Sequence, residues 1–180
     1  MGRKEWTVVS AEEFYRYDRG MVVSRDVVQL AAGRSFPDFF QVQMSSHTSI
    51  YATTTVGRVA CIHQYKHGPR QVGLTLPGGL IDPGEDPLDA AKRELLEETG
   101  LSSSAWTALG SFTISGNQGV GTSHLFRADR AEIVRAPDPG DLEDMELQFL
   151  SPDRVLAELH AGGFPIISHA AAIALANLKR

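Results

Sequence analysis

Residues 79–101, GLIDPGEDPLDAAKRELLEETGL, restrict what this chain can fold into more than any other stretch. Asp86 followed by Pro87 reads as a helix start, a capping oxygen and then a proline in the first turn. Thr99-Gly100 reads as the stop, with glycine just past the last turn. Within that helix Glu94, Glu97 and Glu98 stand three and four residues apart and so share one face. Leu88, Ala91 and Leu95 make an apolar stripe beside it, suited to packing on a sheet. Arg93 lies four residues before Glu97 and is placed to hold one of the carboxylates. Gly78-Gly79 and Pro83-Gly84 supply tight turns ahead of the helix, and the missing side chain at Gly78 lets its carbonyl approach a ligand closely.

Four carboxylates gathered this closely, counting Glu85, repel one another unless cations sit among them, and oxygen donors suit Mg2+ or Mn2+. The whole run fits G-x5-E-x7-R-E-U-x-E-E-x-G-U, where U is aliphatic, with every position filled. It resembles the signature of the Nudix hydrolases, which split a nucleoside diphosphate linked to another group with the help of divalent metal. The resemblance covers residues 50–180 and implies an α/β fold, an α/β/α sandwich around a mixed sheet. Two domains are expected: a β-rich N-terminal extension over 1–50 and the Nudix hydrolase domain over 51–180.

Composition agrees with a metal-dependent enzyme of this kind. The net charge of −5 and the lack of a Lys/Arg cluster argue against a nucleic-acid surface. They also mean that a polyphosphate substrate needs bound cations to approach an acidic site. No apolar run reaches membrane-span length, and the opening Met1-Gly2-Arg3-Lys4-Glu5-Trp6 does not read as a secretory leader, so a cytoplasmic protein is expected. The single cysteine, Cys61, sits in the apolar run Val59-Ala60-Cys61-Ile62 and reads as a buried thiol.

Along the chain, Val22–Leu30 and the alternating Phe40–Met44 read as strands, with turns at Gly33–Ser35 and Pro37-Asp38. Phe14, Tyr15 and Tyr17 suit either a core or an interface. A buried strand is expected within Val56–Tyr65. Val72, Leu74 and Leu76 alternate into Pro77-Gly78-Gly79. Trp106–Ser115 reads as strand, Ser115–Thr122 as a flexible loop, His124–Ala128 as strand, Ala136–Met145 as an acidic loop, and Glu146–Leu150 as strand. Ser151 is expected to cap a helix running to His160, and Ser168 to cap a final alanine-rich helix.

Within the family, the β-rich extension, the run Gln64-Tyr65-Lys66 and the late acidic stretch Glu143–Leu147 resemble the ADP-ribose and nucleotide-sugar pyrophosphatase branch. Two departures stand out: Thr75 replaces the glutamate usual before Leu76-Pro77, and Lys66 stands where arginine is usual, which removes a bidentate phosphate clamp. A third is Ser115-Gly116-Asn117, in a region where ADP-ribose enzymes typically carry a proline. The resemblance implies two or three Mg2+ (or Mn2+) ions held by Glu94, Glu98, Glu97 and the Gly78 carbonyl. Arg93 and Glu97 then serve in the catalytic group, with Glu143 as the base and Glu146 and Glu85 as alternatives. Lys66, Arg70, Gly79 and Trp6 are the candidate substrate contacts, Trp6 by stacking on a base. His63, His67 and His124 read as structural or surface residues. By analogy with the branch, the N-terminal strands form a homodimer and line the substrate site. The expected reaction cleaves a nucleoside diphosphate sugar into a monophosphate and a sugar phosphate, with a small nucleotide as the only other partner and no nucleic acid or membrane. Other substrates (dinucleoside polyphosphates, nucleoside triphosphates, a coenzyme) and a non-catalytic nucleotide-sugar regulator stay open.

Overall fold

The computed structural model describes residues 5–17, 20–31, 33–138, 140 and 145–178. In chain order its elements are β1 (Thr7–Tyr17), β2 (Met21–Gln29), β3 (Ser35–Gln43), β4 (His47–Thr54), β5 (Val59–Lys66), β6 (Gln71–Thr75), α1 (Pro87–Thr99), β7 (Leu101–Ser102), β8 (Ala105–Ser115), β9 (Gly119–Ile133), β10 (Glu146–Leu150), α2 (Pro152–His160) and α3 (Ile167–Asn177). The chain divides into two compact units. One is Met1–Ser46 with Thr113–Thr122, the other His47–Phe112 with Ser123–Arg180.

The first unit is an antiparallel meander, β1 on β2 and β2 on β3, turning at Gly20 and Gly33 with positive φ. Every residue of β1 is exposed, so Phe14, Tyr15 and Tyr17 belong to no core of this chain. Two bulges interrupt the β1–β2 register, leaving Val9 and Phe14 without opposite partners. Pro37-Asp38, expected as a turn, lies inside β3. The register there passes from Asp26↔Phe39 to Val28↔Phe36, so both residues sit in a bulge that needs no ladder N–H from proline. The expected loop over Ser115–Thr122 is also shorter than its composition suggests. Only residues 116–118 form a turn, and β9 begins at Gly119, which pairs in parallel with Val42. Gly119 and Gly121 adopt positive φ, which glycine takes freely, while Val120 between them is held at φ +61°, a strained conformation for a β-branched residue. Gln41 ties the turn down by donating from Nε2 to the Asn117 carbonyl at 2.8 Å.

The second unit is a mixed sheet with helices on both faces. β4 runs parallel to β9 and antiparallel to β5, and β5 pairs antiparallel with β6 and β10. Strand alternation sorts side chains between two cores. Ile50, Ala52, Ala60, Phe126 and Ala128 point to α1, where Ala91 and Leu95 meet them. Tyr51, Val59, Cys61, Leu74, Leu76 and Leu125 point the other way, to Val155 of α2, Phe164, and Ala172 and Ile173 of α3. The expected stripe of α1 is therefore the face that packs: Ala91 and Leu95 are fully buried and Leu88 partly so. Burying a leucine of that kind stabilises by about 2–3 kcal/mol. Cys61 is fully buried, and burial pushes its thiol up to about 12. No helix among the described residues is long and apolar enough to cross a membrane.

Candidate active site

The bounds of α1 are set locally. The Asp86 carboxylate accepts from the N–H groups of Leu88 and Asp89, and Gly100 closes the helix in the left-handed region by donating to the Leu96 carbonyl. This fixes the rotation of the helix, so Glu94 and Glu98 face the segment Pro77–Gly79, which follows β6.

That segment is fastened to β4. Ile50 N–H donates to the Pro77 carbonyl and Thr48 N–H to the Gly79 carbonyl, both at 2.9 Å. The Gly78 carbonyl lies between those two and outside that ladder. Gly78 has φ +148°, and a Cβ there would fall 2.2 Å from the Thr48 carbonyl oxygen, so only glycine fits. Its N–H donates to Glu98 Oε2 at 2.7 Å. Gly79 makes room for Glu94, because a Cβ on Gly79 would lie 2.5 Å from that carboxyl group.

Arg93 ties the acidic cluster together. Its guanidinium donates to both oxygens of Glu85 at 2.9 Å, to Glu94 Oε1 at 2.7 Å, to Glu97 Oε2 at 3.2 Å and to the Leu80 carbonyl at 3.0 Å. The sequence spacing pointed to Glu97 alone as its partner. The fork geometry of guanidinium explains how one residue serves three. Arg93, with help from the Asp82 N–H, draws Glu85 down to about 2. Glu94 moves the other way: burial raises it, and Arg93 offsets part of that rise.

Among the described residues no three acidic, imidazole or thiol side chains already converge as a ligand set for a metal. The donor chemistry nevertheless fits a hard divalent cation. Glu94 and Glu98 both lie against the Gly78–Gly79 backbone, and all the donors are oxygen.

The other expected site residues fall in several places. Glu143 lies outside the described residues. Glu146 opposes His63 across β5–β10 and stands 3.8 Å from its Nδ1. Its neighbours Leu147 and Phe149 pack with the α1-side core and Leu150 with the other, so alternation puts Glu146 on the face away from α1. Lys66 ends β5 and Arg70 closes the hairpin to β6 with φ +54°. Trp6, in the N-terminal unit, packs edge-on against Phe39 at 5.9 Å. His63 and His67 are exposed, while His124 bonds Ser111 at 2.9 Å.

Sequence reading missed a neutral polar group on the opposite face. Ser168 does not cap α3: Ile166 holds that position without a side-chain bond. The Ser168 hydroxyl instead meets Ser49 Oγ at 3.3 Å and His47 Nε2 at 3.4 Å. Next to it, buried His169 accepts the Leu76 N–H on Nδ1 at 3.1 Å. No local signal joins residues 93 positions apart.

Comparison with known proteins identifies the family. A model of the NUDIX domain matches residues 46–170. The chain belongs to the Nudix hydrolase family. This Nudix chain is 27% identical over 86 residues to an ADP-ribose pyrophosphatase of Bacillus subtilis, covering 48% of the chain and 46% of that relative. It is 33% identical over 110 residues to a mouse ADP-sugar pyrophosphatase, covering 58% and 50%. A CMP-5'-(N-acetyl-N-hydroxy-3-aminopropyl)phosphonate hydrolase of Streptomyces rubellomurinus is 29% identical over 144 residues, covering 80% and 69%. The chain thus spans about half the length of the two pyrophosphatases. In fold it matches the crystal structure of an ADP compounds hydrolase with a TM-score of 0.83 at 18% identity, over 98% of this chain and 94% of that one.

Proposed function

We propose that this Nudix protein hydrolyses the diphosphate bond of a nucleoside diphosphate sugar, ADP-ribose or a close analogue, to a nucleoside monophosphate and a sugar phosphate. The observation that carries this reading is the pairing of Glu94 and Glu98 with the Gly78–Gly79 backbone across the α1 face. Its likeness to ADP-ribose and ADP-sugar pyrophosphatases favours the substrate class.

Glu94, Glu98, Glu97 and the Gly78 carbonyl would hold the divalent cations. When bound, two or three Mg2+ or Mn2+ ions offset the diphosphate charge and acidify a water. Arg93 keeps Glu94 and Glu97 aimed and leaves Glu85 as its counter-ion. A carboxylate held as low as Glu85 is a poor proton acceptor, and Glu146 stands on the other face. Glu143, just ahead of β10 in the sequence, is the base this reading favours, with Glu146 and Glu85 as its alternatives. Lys66 and Arg70 supply positive charge for phosphate oxygens, and Gly79 lets the backbone come close to the substrate. The exposed apolar side chains of the N-terminal sheet, among them Val8, Phe14, Phe36 and Phe40, support a homodimer formed through that unit.

The test is product analysis with Mg2+ on ADP-ribose, ADP-glucose, GDP-mannose, UDP-glucose, a dinucleoside polyphosphate and the common triphosphates. We expect turnover of a nucleotide sugar, and a loss on the order of a thousandfold in kcat for Glu98→Gln. Cleavage of triphosphates alone would discard the substrate class. Tight nucleotide-sugar binding without hydrolysis would mark a regulator.

A further inference from the structure

The segment that carries Gly78 is gripped from both sides of the sheet. On the α1 side the grip is the Glu98 carboxylate on the Gly78 N–H. On the α3 side it is His169, whose Nδ1 accepts the Leu76 N–H two residues earlier. Leu76 itself is almost fully buried, so its N–H has no recourse to water.

The chemistry of His169 suits this task. An imidazole accepts only on an unprotonated nitrogen, so the bond to Leu76 places the ring proton on Nε2. Its surroundings keep the ring neutral: burial, the neighbouring His47 and the Lys66 charge all oppose a second proton. The ring sits at the start of α3, beside Ser168, which ties the same turn to Ser49 and His47 of β4. β4 is also the strand that holds the Pro77 and Gly79 carbonyls. Helix α3 and β4 thus fix the backbone on both sides of Gly78 by three neutral hydrogen bonds, Leu76 to His169, Ile50 to Pro77 and Thr48 to Gly79, none of which touches the acidic cluster.

We propose that His169 is a positioning residue of the cation site: by holding the Leu76 N–H it fixes the Gly78 backbone, whose N–H donates to Glu98, so that the Gly78 carbonyl is in place for a cation. This rests on the reading of Gly78, Glu94 and Glu98 as cation ligands. It assigns a role in that site to α3, a helix that contributes no acidic side chain.

The test compares Mn2+ binding, followed by the paramagnetic resonance of free Mn2+, in the wild-type protein, His169→Leu and His169→Asn. Asparagine presents an oxygen near the position of Nδ1, while leucine presents no acceptor. The expected result is Mn2+ binding about tenfold weaker in His169→Leu, with most of the affinity restored in His169→Asn. With a nucleotide sugar the defect should fall on kcat and on the Mn2+ concentration needed, leaving KM nearly unchanged. Wild-type affinity in a folded His169→Leu protein would overturn the proposal. So would equal losses in both variants that track their melting temperatures, since packing alone then explains them.

A measurement on the wild type covers the case in which the leucine variant does not fold. Mg2+ titration should shift the Leu76 amide and the His169 ring nitrogens in the NMR spectrum, and unmoved signals would overturn the proposal. If the wild type binds Mn2+ but turns over no nucleotide sugar, the substrate reading fails while the comparison of variants still decides the role of His169.

Discussion

The two faces of the central sheet reach the same four residues, Leu76 to Gly79, by opposite means. The α1 face works with charge: three glutamates bridged by one arginine, all within residues 85–97, and Glu98 on the Gly78 N–H. The α3 face works with neutral groups, two histidines and two serines drawn from β4 and α3 and more than a hundred residues apart. Charge is what cation chemistry requires, and its cost in repulsion is offset locally. The neutral face only has to hold backbone still, and buried neutral hydrogen bonds do so without adding to the field at the site.

If the faces are equal in packing and differ only in chemistry, Leu95→Ala and Ile173→Ala should each destabilise by about 3 kcal/mol, since both side chains are fully buried against the sheet. Urea unfolding checks this, and a large imbalance would make one face dominant in the fold as well. A smaller effect, specific to chemistry, is expected for Gly79→Ala. The added methyl meets the Glu94 carboxyl, the movable end of a side chain, so activity should fall about thirtyfold while the midpoint of unfolding changes little. Equal losses of both would mean that Glu94 matters for folding more than for cation binding.

The next effect belongs to the neutral face. His169 is held down to about 3 against an ordinary 6.5, so the unfolded chain takes up a proton that the folded one refuses. Its contribution is complete above about 6.5 and is lost as pH falls from there toward 3. Stability should drop by on the order of 1 kcal/mol between pH 6 and pH 5. His169→Asn should flatten that slope in urea midpoints measured at both pH values, and an unchanged slope would show that other groups carry it. The smallest effect is expected far from either face: Arg16→Ala, on exposed β1, should change stability by less than about 0.5 kcal/mol, although Arg16 pairs with Glu13.

The same contrast explains what the sequence disclosed. Helix α1 was readable to its caps because Asp86, Pro87 and Gly100 act within a few residues of themselves. β10 and α2 were equally legible, bounded by an alternating run and by Ser151-Pro152. Pro37-Asp38 misled because a proline in a bulge has the same composition as a proline in a turn. Ser168 misled for another reason: serine before an apolar run signals a cap, but this hydroxyl had a better partner on β4 than the backbone of its own helix. The link from His169 to Leu76 left no local trace, because it depends on how α3 docks on the sheet.

The two bulges of β1 have one more consequence. An eleven-residue strand that, among the described residues, pairs with β2 alone offers its other side as a template on which foreign strands can grow. Kinks at Val9 and Phe14, with Glu12, Glu13 and Arg16 along the same strand, break that template into stretches too short and too charged to recruit a stranger. An irregular register of this kind disfavours edge-to-edge growth, and straightening it by deleting Val9 and Phe14 is expected to lower the concentration at which light scattering detects aggregates.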